Sequence, residues 1–446
     1  MVFRKVFLTV FMLMGLVLGA SGPVAALEYP LQTGQQIIFD ATTVGMGQPA
    51  MAWRYELWLL GEREPGKFEA VWVFYNNPRQ QQESMAGAIP LTIDKKGTKQ
   101  FPREREVTYI LEEAVESFLP DLSKTPAFNA VWKGPTTVTG RYFSYQPVGE
   151  VNKLVRCSFA QYGEDKMDQV VGVLTTGEAF FDPAGNWLKE INFSTTKQAP
   201  QGQVIISQAV ARLSKVVQKD EKWAAKRRDE AKAFFVQLAA HDDILYKAND
   251  NLASATLEVA PTVQGWQTFL AQNDASIFAP LARNHLQVMQ AELPVLQTLW
   301  LSRKKVVGNP APRWTLKDTA GTAFTLDSVA SQPVLLLFWS RNSWESLMAI
   351  RELKEMKAAY EPRGLKIFPI NLDQTDQEAV DALAALGANF TTLRNIDPNL
   401  LTVHGIPLGV LPSAVVIDRT KKVTDVHFGW GKRVFKDLRA QIEGAL

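Results

Sequence analysis

The chain has 446 residues, 46% hydrophobic and 21% charged, and Lys and Arg exceed Asp and Glu by only two. That is an ordinary globular composition, and its charge is too mild to imply a nucleic-acid partner. The length fits two to three domains, and one cysteine excludes an intramolecular disulfide, so stability must come from packing.

At the amino terminus Arg4 and Lys5 precede an apolar run from Val6 to Leu18, and Val24-Ala25-Ala26 supplies small residues at the usual cleavage offsets. Residues 1–26 therefore read as a secretory signal peptide cut after Ala26. The apolar run is shorter than the ~20 residues that a membrane helix needs. Leu18-Gly19-Ala20-Ser21 has serine where a lipobox has cysteine, so lipid attachment is excluded. The mature chain is expected to be exported, periplasmic or secreted, soluble and without a membrane span.

Residues 27–215 favour strands. Apolar and polar residues alternate over Trp53–Leu59 and Phe68–Tyr75, joined by a hairpin connection at 61–66. Further strands are expected at Thr136–Tyr145, Val151–Tyr162, Gln169–Thr175, Gly177–Phe181, Trp187–Ser194 and Gln203–Leu213, with a turn at Asp182–Asn186 and one helix near Val107–Phe118. Sequential strands predict an antiparallel domain, either a curled open sheet around that helix or a sandwich. Trp53, Trp58, Trp72, Tyr75, Trp132 and Tyr142 suit either an apolar ligand cleft or, more simply, the core.

Residues 216–305 read as a helical linker or arm, with helices over Lys219–Tyr246, Val263–Gln272 and Ile277–Trp300 punctuated by Pro261, Pro280 and Pro294. No repeat period supports a tetratricopeptide-like arm. His241 and His285 lie here without partners at ligand spacing; they read as solvated or capping residues, and no metal site or cofactor is expected.

Residues 306–446 carry the most specific signal. Gly308 to Pro312 with Trp314 to Asp318, the apolar run Pro333 to Trp339, Lys366 to Asp373, His404-Gly405-Ile406 and Leu411-Pro412-Ser413 follow in a characteristic order. Together they resemble the TlpA/ResA-like (AhpC/TSA, redoxin-type) branch of the thioredoxin superfamily, which implies an α/β/α thioredoxin-like domain. The whole is thus an α+β multidomain protein.

In that family a W-C-x-x-C motif opens a helix opposite a cis-proline. Its first thiol, made acidic by the helix terminus, attacks a disulfide and its second resolves the product. Here the two positions are Ser343 and Ser346, with Pro412 as the cis-proline candidate. A hydroxyl ionises far less readily than a thiol and closes no persistent S–S analogue, and Glu345 would oppose a nearby thiolate. The local sequence suits a helix start instead, with Asn342 as N-cap and Glu345 three residues on. A serine nucleophile finds neither a G-x-S-x-G elbow nor an S-x-x-K pair, and a lone His404 near the Pro412 loop is weak support for a base.

Cys157 lies upstream in a strand-like stretch, with Arg156 directed to the opposite face. The sequence therefore favours a redox-inactive binding or scaffolding module of the cell envelope. Trp339, Trp344, Glu345, Ile406, Leu411 and Pro412, with Val410, form its candidate surface for an extended peptide or envelope protein. The alternative is a thiol-disulfide oxidoreductase or antioxidant protein working through Cys157 or a partner's thiols.

Overall fold

The computed structural model describes residues 27–45, 47, 49–76, 84–101, 118–123, 127, 130–135, 141–163, 173–199, 202–250, 257, 259–329, 331–395 and 397–446. The expected signal peptide lies outside them, as does the expected helix near Val107–Phe118 apart from Phe118 itself.

Eleven strands form one antiparallel sheet in the amino-terminal region. β1 (Gln35–Gly45), β2 (Met51–Glu64), β3 (Lys67–Asn76), β4 (Ser84–Asp94) and β5 (Lys99–Gln100) step outward to one edge. β6 (Trp132–Pro135), β7 (Arg141–Val151), β8 (Leu154–Gly163), β9 (Val173–Asp182), β10 (Trp187–Ala199) and β11 (Gly202–Gln218) return from the other edge. β11 then closes beside β1, from Gln35 opposite Gln218 to Gly45 opposite Ser207. A single sheet replaces the sandwich alternative.

Side-chain alternation divides the apolar residues of β2 and β3 between two cores. Leu57, Leu59 and Trp72 join Phe39, Phe118, Trp132, Tyr145 and Phe181 on one face. Trp58, Leu60, Val71 and Val73 face the helices on the other. Trp58, Trp72, Tyr75 and Trp132 are all buried, so these aromatics are core rather than cleft; Trp53 is half-buried, and the Tyr142 side chain lies outside the described residues.

Two expected boundaries change. β2 continues through the expected connection to Glu64, leaving Pro65-Gly66 as the turn, with Gly66 at φ +78°. The register shifts at Leu59/Gly61 and at Glu62/Glu64 absorb the surplus residues. The two strands expected at 169–175 and 177–181 are one element across Gly177, residues 169–172 lying outside the described set. A Cβ at Gly177 would fall 1.8 Å from the Asn192 carbonyl oxygen on β10; the glycine admits a neighbouring backbone instead of ending the strand.

α1 (Glu221–Asp250), α2 (Ala260–Gln272) and α3 (Ala279–Val306) pack on the Trp58 face of the sheet through Phe234, Trp266 and Phe278. Pro261 and Pro280 occupy first helical turns, where the missing N–H has no intrahelical acceptor to lose. Pro294 lies inside α3, within the span 277–300 expected to be helical. No helix among the described residues is long and apolar enough to cross a membrane.

The carboxy-terminal sheet has the order β13–β12–β16–β15–β14–β17–β18. Along the chain run β12 (Thr315–Asp318), β13 (Ala323–Thr325), β14 (Val334–Trp339), α4 (Trp344–Tyr360), β15 (Lys366–Asn371), α5 (Asp376–Ala385), β16 (Leu393–Arg394), α6 (Asn399–Val403), β17 (Ser413–Ile417), β18 (Val423–Phe428) and α7 (Lys432–Ala445). β14, β15 and β16 are parallel, while β17 runs antiparallel to β14. Every residue of β14 is buried, as its unbroken apolar run requires. Leu335, Leu337 and Trp339 meet α4 and α7, whereas Val334, Leu336 and Phe338 meet a layer to which α3 contributes Leu299 and Val306.

Candidate functional site

The loop from β14 to α4 begins where the buried strand ends, and Asp373 organises its first turn. Its carboxylate accepts bonds from Ser340 Oγ (2.5 Å), the Arg341 N–H (2.9 Å) and Asn371 Nδ2 (2.7 Å). Arg394 ties the other side of the network, donating to the Asp373 carbonyl at 2.6 Å and to Asp376 at 2.5 Å. Asp373 is buried, so its oxygens need these donors in place of water. Neither residue spacing nor hydropathy marks in the sequence a carboxylate that receives a distant loop.

Ser343, rather than Asn342, caps α4. Its backbone is extended (φ −105°, ψ 120°), and Oγ accepts the Ser346 N–H at 3.1 Å. The same hydroxyl lies 3.2 Å from Glu345 Oε2, to which it donates. Such a cap contributes ~1 kcal/mol, and Glu345 in the first turn adds favourable charge at the positive helix end. Ser346 is fully buried and accepts the Ser340 N–H at 3.3 Å. Both motif hydroxyls are therefore engaged in local structure.

The Leu411–Pro412 peptide is cis. Phe338 pairs with Ser413 across β14 and β17, which brings Pro412 alongside the end of the strand that feeds the motif loop. The Pro412 carbonyl accepts from Gly429 N at 2.8 Å, and Ser413 Oγ donates to the Val410 carbonyl at 2.8 Å.

The candidate surface separates into two groups. Trp339, Ile406 and Pro412 are buried, so Trp339 and Ile406 belong to packed layers and not to an exposed groove. For Trp339 the reason is its odd position in β14, in phase with Leu335 and Leu337. Val410 and Leu411 are half-buried, and Glu345 is exposed. Leu408, which the sequence did not single out, is 66% exposed on the same loop. The backbone of Trp344 opens α4, but its side chain lies outside the described residues.

None of the histidines stands ready as a base for Ser343. His404 is fully buried, with Nδ1 2.8 Å from the Leu400 carbonyl and its ring against Phe338. His427 Nε2 lies 3.1 Å from Asp425 Oδ2, and Arg303 Nε donates to Asp425 Oδ1 at 3.0 Å. Burial pushes the Asp425 carboxyl up, yet His427 and Arg303 together hold it below the ordinary carboxylate range. His241 is buried and His285 stacks on Trp266, so both pack among the helices instead of being solvated. Among the described residues no group of three or more His, Cys, Asp or Glu could hold a metal ion.

Cys157 sits on β8 with no solvent exposure, and burial pushes its thiol up to about 11. Arg156 points to the other face and pairs with Glu178, so it gives the thiol no direct ion-pair partner. A neutral, enclosed thiol behaves as a small apolar side chain.

The AhpC/TSA family model matches residues 307–426. Thiol-disulfide oxidoreductase ResA of Bacillus thuringiensis (strain Al Hakam) is 23% identical over 143 residues, covering 32% of this chain and 78% of its own. The Bacillus anthracis protein of the same name matches to the same extent. A solved structure described as a thiol:disulfide interchange protein, DsbE, from Chlorobium tepidum is 26% identical, covering 31% of this chain and 96% of its own with a TM-score of 0.29.

Proposed function

We propose, for a chain whose residues 307–426 are a TlpA/ResA-like redoxin segment, that it is an exported, redox-inactive binding module of the cell envelope. The observation that carries this reading is the use of both motif hydroxyls as helix and loop acceptors, beside a retained cis-proline loop. An oxidoreductase needs a thiolate within reach of its substrate and a second thiol to resolve the mixed disulfide. Ser343 and Ser346 supply neither, and Cys157 is enclosed in the other sheet's core. Export is supported by the basic, apolar and small-residue order of residues 4–26.

The partner is an extended peptide that lies across the start of α4 and the 408–412 loop. Leu408 and Leu411 offer apolar contact, while Glu345 favours a peptide with a basic residue at the neighbouring position. The test titrates a library of extended peptides against the chain from residue 27. Leu408→Asp is expected to weaken the best peptide about tenfold, one desolvated apolar contact being of order 1–2 kcal/mol. Cys157→Ala should leave binding unchanged. Capture of peptides as mixed disulfides on Cys157 would instead support the oxidoreductase reading that the relatives' names carry.

A further inference from the structure

A cleft of about 660 Å³ lies between β2–β4 and α1, away from the redoxin segment. Its sheet wall includes Leu60, Val71 and Ile89, and its helix wall includes Phe235, Val236 and Ala239. Leu60 and Arg63 are the surplus residues of the two register shifts in β2, so the irregular edge that the hairpin created forms part of the wall. The volume is within the range of small-molecule sites, and the lining is largely apolar.

The polar groups gather at one end. On α1, residues 228, 232, 235 and 239 share a face, with Arg228 and Lys232 first and Phe235 and Ala239 after them. Arg63 is already paired with Glu69, its Nε donating at 2.7 Å. Arg228 and Lys232 have no ion-pair or hydrogen-bond partner among the described residues. Arg228 Nη1 approaches the sheet where residue 61 lacks a side chain; a Cβ there would lie 3.0 Å from it. The lining thus carries three cations, Arg63, Arg228 and Lys232, against the single carboxylate of Glu69, which Arg63 already pairs, and the apolar walls continue along the next two helical turns.

We propose that this cleft holds a single-chain anionic amphiphile, of which a fatty-acid carboxylate is the simplest form. The head sits between Arg228 and Lys232, which satisfy its charge, and the alkyl chain runs past Phe235 towards Ala239. The site goes beyond peptide recognition and shares none of its residues.

The test uses the chain from residue 27, stripped of lipid, in equilibrium dialysis with radiolabelled palmitate. Hexadecanol, acetate and 1-palmitoyl lysophosphatidate provide the comparison arms. Saturable palmitate binding is expected, with hexadecanol about tenfold weaker and acetate not bound, since charge-assisted contacts are worth at least that ratio. Lysophosphatidate competing better or worse than palmitate distinguishes a phosphate head from a carboxylate, and either supports the anionic class. Arg228→Gln with Lys232→Gln should cost about tenfold for palmitate and little for hexadecanol. Ala239→Trp should block both, and Leu408→Asp neither. Absence of saturable palmitate binding, or binding indifferent to both the double variant and Ala239→Trp, overturns the proposal. The double variant alters only exposed or half-buried residues, which keeps the test open if Ala239→Trp fails to fold.

Discussion

His241 and His404 are titratable groups enclosed by apolar neighbours, and both are held below the ordinary histidine pKa of 6.5. Burial is the main cause in each, opposed at His404 by the Leu400 carbonyl. The unfolded chain takes up these protons near the ordinary value, whereas the folded chain takes them only at lower pH. Their contribution to stability is therefore whole above about 6.5 and is lost progressively below it, until the pH has fallen through the lower values at which the folded imidazoles take up their protons. Asp425, also depressed, acts in a separate window, since its contribution falls only below the ordinary 3.8. Urea midpoints should drop between pH 7.5 and 5, and the drop should be smaller in a His241→Leu, His404→Leu double variant. A pH-independent midpoint over that range would contradict the assignment. At this scale the motif positions were legible from their order along the chain. The cap was not: Asn342 and Ser343 are chemically interchangeable as caps, and only the extended backbone at Ser343 selects between them.

Single elements were legible wherever hydropathy alone specified them. β14 is a run of apolar residues because both its faces are covered, and Pro261 and Pro280 open helices because the first turn tolerates them. Residues 169–175 and 177–181 read as separate strands with Gly177 opening the second, whereas β9 runs through this glycine without a break. Its function depends on β10, a partner whose approach no local pattern discloses. Gly177→Ala would bring a Cβ against the Asn192 carbonyl oxygen and the Phe193 Cα, both backbone atoms that cannot swing aside. The variant is expected to lose several kcal/mol or to be recovered only as aggregate, in keeping with the largest class of single-residue effects. Soluble yield and a melting temperature equal to those of the unaltered chain would show that β9 and β10 lie further apart than described.

Across the whole molecule, strand content and the redoxin segment could be read from sequence, but the closure of β11 on β1 could not, because it pairs residues more than 160 positions apart. The same holds for the contact of α3 with β18. Arg303 and Asp425 are both buried, 122 positions apart, and their pair fastens the helical segment to the thioredoxin-like sheet. Removing only one partner leaves the other charge buried, so Arg303→Met should destabilise by about 3–5 kcal/mol, while Arg303→Met with Asp425→Leu should recover most of that loss. Denaturant titration of the two variants checks this; equal losses would mean that the pair is not buried as a unit.

The most direct measurement concerns the thioredoxin-like scaffold itself. A chain keeping Ser343 and Ser346 and a Ser343→Cys, Ser346→Cys variant, both carrying Cys157→Ala, would be compared in reduction of insulin disulfides by dithiothreitol. No acceleration by the serine form and thiol-dependent turnover by the cysteine form are expected, because the start of α4 stays beside the cis-proline loop. Acceleration by the serine form would contradict this, as would a cysteine pair that never oxidises to an intramolecular disulfide.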